Sequence, residues 1–378
     1  MNILVDENIP YGVEAFGTLG TVRRAPGRAI TKDMLEDVTA LIVRSITRVD
    51  ESLLAGTPVR FVGTCTIGED HIDKAYLAAQ RIGFSSAPGC NANSVAEYIV
   101  TAILALAQKH HFNPADLKLG IVGVGNVGTK VWQKATALGM QCVLNDPPLQ
   151  AASQDPVYRP LTEIQECPII TFHVPLNKGG AYPTLHLADE RFLAALRPGT
   201  IIFNTSRGAV VDNQALKGAL RNRHIAAAVL DVWEHEPTPD LELLRLTDIA
   251  TPHIAGYSFD GKVNGTRQIY DALCTFLELP VSWDPRPFLP APPLPELHID
   301  TEDPEILVKT VLKAYDLAGD DERMRKIFVE GQGQEGLFFD GLRKEYPVRR
   351  EFFNTTLHLK EEENPLKAVF SGIGFTVL

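Results

Sequence analysis

His253 lies in Thr251-Pro252-His253-Ile254-Ala255-Gly256-Tyr257, directly after a short apolar run. Imidazole titrates near neutrality, so a histidine at a strand end is a candidate general base. A carboxylate beside the ring would orient it and raise its pKa. Val229-Leu-Asp231-Val-Trp-Glu234-His-Glu236-Pro237 supplies acids in a comparable position. Asn204-Thr-Ser206-Arg207-Gly208 places a guanidinium just past another apolar run. Its planar fork matches a carboxylate in two-point geometry. Singly, each has an ordinary explanation: a lone histidine without a role, a capping acid, a solvated arginine.

These groups need a scaffold, and a glycine turn upstream points to one. Leu119-Gly-Ile-Val-Gly123-Val-Gly125-Asn126-Val127-Gly128 is an apolar run that breaks into G-x-G-x-x-G, followed by a helix-compatible run over 129–140. In a strand–turn–helix setting, Gly123 allows the tight turn, Gly125 admits a pyrophosphate, and Gly128 lets helix and strand pack closely. The helix N-terminus at Asn126 and Val127 offers N–H groups to phosphates. Asp146, 18 residues beyond Gly128 and closing the run Gln141–Asn145, fits the acid that binds adenosine ribose hydroxyls. A carboxylate there repels a 2′-phosphate, which favours NAD over NADP. The plainer reading of Asp146 is a turn residue before Pro147-Pro148.

At 378 residues the chain is long enough for two or three domains. Its 45% hydrophobic and 22% charged content is that of a soluble globular protein. No apolar run approaches the roughly 18 residues that span a bilayer. Met1-Asn-Ile-Leu-Val-Asp6 has no basic leader and reads as a first strand. The five cysteines are scattered without C-x-x-C spacing, which indicates neither a disulfide framework nor a metal site and suits the cytoplasm. A net charge of −11 argues against a nucleic-acid partner.

Strand-like and helix-like runs alternate along the chain. The expected fold is α/β, with two doubly wound parallel-sheet units and a small C-terminal α+β domain. Residues 1–92 with 257–285 form one unit, 93–256 the nucleotide unit, and 286–378 the last domain, entered through proline-dense 284–295. Within it, 348–359 and 368–378 read as strands. The apolar helix over 93–107 implies burial, with Ser94 as its cap. In the first unit, Arg44, Ser45 and Thr66 follow strand-like runs, and ligands of parallel sheets bind at the strands' carboxyl ends.

Taken in order, the glycine turn, Asn-Thr-Ser-Arg-Gly at 204–208, Asp-Val-Trp-Glu-His-Glu-Pro at 231–237 and Pro-His-Ile-Ala-Gly at 252–256 resemble the D-isomer-specific 2-hydroxyacid dehydrogenases over about residues 40–280. The resemblance implies an NAD-dependent enzyme with Arg207, Glu236 and His253 as its catalytic set. Glu236 is preferred to Glu234 because the family's acid directly precedes proline. It further implies cofactor contacts from Ser206, Asp231 and Gly256, and substrate contacts from Ser45, Thr66 and Tyr257. A narrower likeness lies in Val5–Tyr11, Pro26-Gly-Arg28, Cys65–Asp73 and the added C-terminal domain. It implies a small anionic, phosphorylated hydroxy acid as substrate. The appended C-terminal domain carries no chemical motif and is assigned to assembly, as a homodimer. Arg349-Arg350 of a partner subunit are further candidates to reach the site. The competing expectations are another specificity within the family, such as 3-phosphoglycerate, and a non-catalytic NAD-sensing protein of the same fold.

Overall fold

A computed structural model describes residues 1–359 and 364–378. It divides into two compact units, one of residues 1–91 and 258–291, the other of residues 92–257 and 292–378.

The first unit holds β1 (Asn2–Asp6), β2 (Thr21–Ala25), β3 (Ala40–Val43), β4 (Phe61–Thr64) and β5 (Gly83–Ser85). They form one parallel sheet in the order β2-β1-β3-β4-β5. β3 and β4 are buried along their whole length, as a sheet covered on both faces requires. Helix Phe259–Phe276 lies on it so closely that a Cβ on Gly63 would stand 2.3 Å from Ile269.

The second unit holds β6 (Lys118–Val122), β7 (Gln141–Asn145), β8 (Ile169–Phe172), β9 (Thr200–Asn204), β10 (Ile225–Leu230) and β11 (Ile249–Ala250). All are parallel, in the order β11-β10-β9-β8-β6-β7. The chain moves from β6 outward to β7, then returns to β8 on the other side. That reversal puts a topological switch point at the carboxyl ends of β6 and β8. Two doubly wound parallel sheets are the fold class that the alternating pattern implied. The helix after the glycine turn runs Asn126–Ala137, beginning earlier than its apolar pattern suggests, because Gly125 already stands at its N-cap.

Residues 292–378 add a third parallel sheet, β12 (Glu296–Ile299), β13 (Thr356–Leu359) and β14 (Thr376–Val377), in the order β12-β13-β14. This segment shares one hydrophobic core with the nucleotide unit. Val311, Leu357, Phe370 and Ile373 pack in the same cluster as Tyr98, Ile103, Leu119 and Val131. The sharing explains helix Ala92–His110, in which 14 of 19 residues are buried: it is covered by the C-terminal segment as well as by its own sheet.

Three local expectations are corrected. Residues 368–378 are not one strand, because Pro365–Ile373 is a helix and only Thr376–Val377 pairs. Asn364 caps that helix, Pro365 opens it, Leu366, Phe370 and Ile373 give it an apolar stripe, and Gly374 ends it at φ +117°. Of 348–359, only β13 is extended into the sheet, and a 3₁₀ turn occupies Phe352–Asn354. Ser94 lies within its helix, and its hydroxyl donates to Glu351 Oε1 at 2.6 Å.

Candidate active site

The carboxyl ends of the six-stranded sheet gather the residues singled out above from that unit. At β6, Gly123 takes φ +88°, and a Cβ on it would stand 2.6 Å from the His173 carbonyl oxygen. A Cβ on Gly128 would stand 2.0 Å from the Gly123 carbonyl oxygen. Both glycines are therefore required by the protein's own backbone. Gly125 differs, since a Cβ there would meet nothing within 4 Å. No side chain caps the helix that begins at Asn126, and Val127 lies in its first turn. An uncapped N-terminus beside an open glycine suits a pyrophosphate. At β7, Asp146 Oδ2 accepts from Val124 N at 2.8 Å, and Oδ1 caps Pro147–Ser153 through Leu149 N at 3.0 Å. The same carboxylate thus fixes the glycine turn and ends the strand, and its remaining lone pairs suit ribose hydroxyls. The residues present fit a dinucleotide.

β9 ends in buried Asn204, whose amide ties the next turn. Its Nδ2 donates to Arg207 O at 2.9 Å, and its Oδ1 accepts from Ser206 Oγ at 2.8 Å. A Cβ on Gly208 would lie 2.0 Å from Trp233 O, so only glycine lets the arginine turn pass against the loop after β10. That contact sets Arg207 beside the acids. Arg207 Nη1 donates to Ser206 O at 2.9 Å.

Asp231 is 1% exposed. It accepts from Thr251 Oγ1 at 2.7 Å, Ile254 N at 2.7 Å and Ala255 N at 3.0 Å. Its carboxylate holds the following loop rather than open space. Within that loop His253 takes the left-handed conformation at φ 58°, and its N–H donates to Asp231 O at 2.7 Å. Gly256 and Tyr257 complete the loop.

The loop brings His253 Nδ1 to 2.7 Å from Glu236 Oε2. With Nδ1–H donated to a carboxylate, the neutral ring leaves the Nε2 lone pair outward. Glu236 Oε1 accepts from Trp233 N at 2.9 Å. Burial alone would raise the Glu236 carboxyl, but His253, the Trp233 N–H and Arg343 outweigh it and hold the pKa below the ordinary value. Glu234 is occupied elsewhere: it pairs with His186 and accepts from Asn213 N at 3.2 Å. The geometry separates the two acids in the same sense as the proline beside Glu236. Arg207, Gly208, Trp233, Glu236 and His253 line one cavity of about 270 Å³. No cluster of three or more metal-binding side chains occurs among the described residues.

Arg44 and Ser45 follow β3 in the first unit, and Thr66 follows β4. The Thr66 hydroxyl lies 2.8 Å from that of Thr64 and donates to Gly68 O at 3.3 Å. Arg349 and Arg350 are buried within their own unit. Arg349 donates to Ala255 O at 2.7 Å and Arg350 to Asn354 Oδ1 at 2.6 Å, so neither extends outward towards a partner's site. One residue that sequence reasoning missed is Arg343, on helix Glu335–Lys344, whose Nη2 donates to the Tyr257 hydroxyl at 3.0 Å. A single arginine on a charged helix gave no signal.

A switch-point glycine turn, an acid ending the next strand and a carboxylate-held histidine at the same sheet edge define an NAD-dependent oxidoreductase. Residues 102–255 match the family described as D-isomer specific 2-hydroxyacid dehydrogenase, NAD binding domain. Residues 288–374 match a domain of unknown function (DUF3410). Proteins named erythronate-4-phosphate dehydrogenase from Edwardsiella ictaluri and Proteus mirabilis are 46% and 45% identical to it, over 99% of this chain and 99% of each relative. Among solved structures, NAD⁺-bound 3-phosphoglycerate dehydrogenase of Entamoeba histolytica superposes with a TM-score of 0.64 at 25% identity, covering 75% of this chain and 98% of that one. The fold is also that of D-lactate dehydrogenase from Aquifex aeolicus, solved with NAD and lactic acid (TM-score 0.60, 24% identity, 74% of this chain and 96% of that one). The chain belongs to the D-isomer-specific 2-hydroxyacid dehydrogenase family.

Proposed function

We propose that this enzyme oxidises 4-phospho-D-erythronate at C2 to 2-oxo-3-hydroxy-4-phosphobutanoate, a step towards pyridoxal 5′-phosphate. The 2.7 Å His253–Glu236 pair on a cavity shared with Arg207 carries the chemical part of this reading. The substrate is supported by the names of relatives matched along their whole length.

Bound NAD⁺ supplies the acceptor for the C2 hydrogen and its electron pair. His253 Nε2 takes the C2 hydroxyl proton. Glu236 steadies the imidazolium that results. Arg207 binds the C1 carboxylate and polarises the C2 oxygen as it gains carbonyl character. Gly123, Gly125, Asn126, Val127 and Gly128 would hold the pyrophosphate and Asp146 the adenosine ribose, with Ser206 and Gly256 as further cofactor contacts. Asp231 serves the cofactor through the loop it fixes. Arg44, Ser45, Thr66 and Tyr257 are assigned to the substrate. Turnover of 4-phosphoerythronate, followed as NADH absorbance beside 3-phosphoglycerate, D-lactate and the reverse reaction with glyoxylate, tests the reading. Preference for any of the others overturns the substrate.

The chain is further assigned to the cytoplasm, on its five free cysteines. No helix among the described residues is long and apolar enough to cross a membrane. A homodimer through the C-terminal segment is supported by Val329 and Leu337, 78% and 72% exposed. Removing the segment would strip a shared core, so light scattering on Leu337→Asp is the cleaner test. A mass unchanged from a dimeric wild type sinks the assignment of that surface.

A further inference from the structure

Helix Glu335–Lys344 packs on the loop after Glu236: a Cβ on Gly336 would stand 3.3 Å from Pro237 Cγ and from Thr238 Oγ1. It carries Arg343 inward, leaving that side chain 18% exposed. The guanidinium carbon stands 5.7 Å from the Tyr257 ring centroid, and Nη2 donates to its hydroxyl at 3.0 Å. Tyr346, just past the helix, meets the Tyr257 ring edge-on with 5.9 Å between centroids. The nearest acid on the helix itself, Asp340, is 3.8 Å away.

Stability alone does not account for this arginine. Its Nε is buried without a hydrogen-bond partner among the described residues. A buried unpaired donor costs about 1–3 kcal/mol, and an apolar side chain of similar length would fill the space without that cost. What the arginine does supply is a fixed donor to one hydroxyl and a positive charge whose field reaches Glu236.

We propose that Arg343 is a positioning residue of the active site, by which the C-terminal segment fixes the Tyr257 hydroxyl and, from a helix packed on Pro237, brings a cation within electrostatic reach of the neighbouring Glu236. The added segment thereby acts on the chemistry of its own chain. The assignment of Tyr257 to the substrate rests on the function proposed above, whereas the action on Glu236 does not.

The two actions separate in experiment. Arg343→Met removes both. KM for 4-phosphoerythronate rises about tenfold, as for loss of a hydrogen bond from a charged donor, while KM for NAD stays. Removing the cation also makes the carboxylate more basic and opposes the imidazolium less. The acidic limb of kcat/KM, which needs a neutral base, then moves to higher pH. The groups around His253 that remain are Glu236, Arg207, Glu234 and His235 on the cavity and Asp231 beneath the loop. Arg343→Lys restores the charge but not the planar reach, so the limb returns and KM stays high. If Arg343→Met fails to fold, Arg343→Lys decides, paired with Tyr257→Phe: the KM effect of the lysine must vanish when the hydroxyl is already gone. NMR titration of His253, assigned by comparison with His253→Asn, reads the electrostatic part without substrate. If wild type ignores 4-phosphoerythronate, the functional reading falls, and the NMR arm still decides on Arg343. An unchanged KM for the turned-over substrate together with an unmoved His253 titration overturns the proposal.

Discussion

Two of the carboxylate–base pairs in the second unit behave oppositely. Glu236 and His253 touch at 2.7 Å, and their side chains are 23% and 32% exposed on the cavity. Glu97 and Lys134 stand 4.0 Å apart and are almost sealed. Around the sealed pair, Asn93 Nδ2 bridges Glu97 Oε1 at 2.9 Å and Glu351 Oε2 at 2.7 Å, and Lys134 Nζ donates to Ile373 O at 2.6 Å. Burial, then the neighbouring Glu351, pushes the Glu97 carboxyl up to about 8. Glu236 is held low by its histidine instead. The open pair keeps one imidazole nitrogen free of the carboxylate and can exchange a proton. The sealed pair joins helix Ala92–His110, the nucleotide helix and the C-terminal segment. Access, not composition, separates a reactive pair from a structural one.

The comparison breaks most sharply at His253. His253→Ala should lower kcat by about 10²–10⁴-fold while leaving NAD affinity near wild type. Fluorescence titration with NADH checks the second half, and a kcat within a few-fold of wild type would remove His253 as base. Lys134→Met, at the sealed pair, should do the reverse. It removes the cation beside Glu97 and Glu351 in the interior and should cost about 3 kcal/mol in urea unfolding, with kcat/KM unchanged where the protein remains folded. A large kinetic effect there would merge the two pairs into one system.

The glycine turn offers a milder version of the same contrast. Gly128→Ala collides with backbone and should destabilise the protein. Gly125→Ala meets nothing in the protein and should leave Tm unchanged while weakening NAD about tenfold, since only a bound pyrophosphate comes that close. Equal effects on Tm would show that Gly125 is structural too. The last contrast concerns pH. Glu97 titrates at about 8 when folded, against 4.5 for the free carboxyl. Its folded form therefore binds more protons across that window, and its contribution to stability, complete below about 4.5, is lost as pH rises through about 8. Glu97→Gln should flatten the fall in unfolding free energy between these limits, which denaturant midpoints at several pH values would read.

Much of the fold was legible because its signals are local. Alternation of apolar runs with helical ones marks a parallel sheet, and the spacing of Gly123 and Gly128 encodes a backbone contact within six residues. The misread stretch, 368–378, has a helical stripe too short to outweigh its apolar composition until its cap at Asn364 and stop at Gly374 are counted. Arg349-Arg350 read as exposed cations because charge usually means solvent. Only packing shows Arg349 over the Tyr315 ring, 4.2 Å from its centroid.

By itself, the sequence determined which chemical groups stand at the strand ends. It also carried the motifs of the dehydrogenase family. Tertiary structure alone decided which groups meet. Asp231 turned inward to hold the histidine loop, Glu236 rather than Glu234 reached the ring, and Arg343 came to Tyr257 from 86 residues away. The reason is physical: residue type and spacing fix what a side chain can do and where its own backbone points. Proton affinity and hydrogen bonding depend on burial and on distances through space, which no local pattern contains.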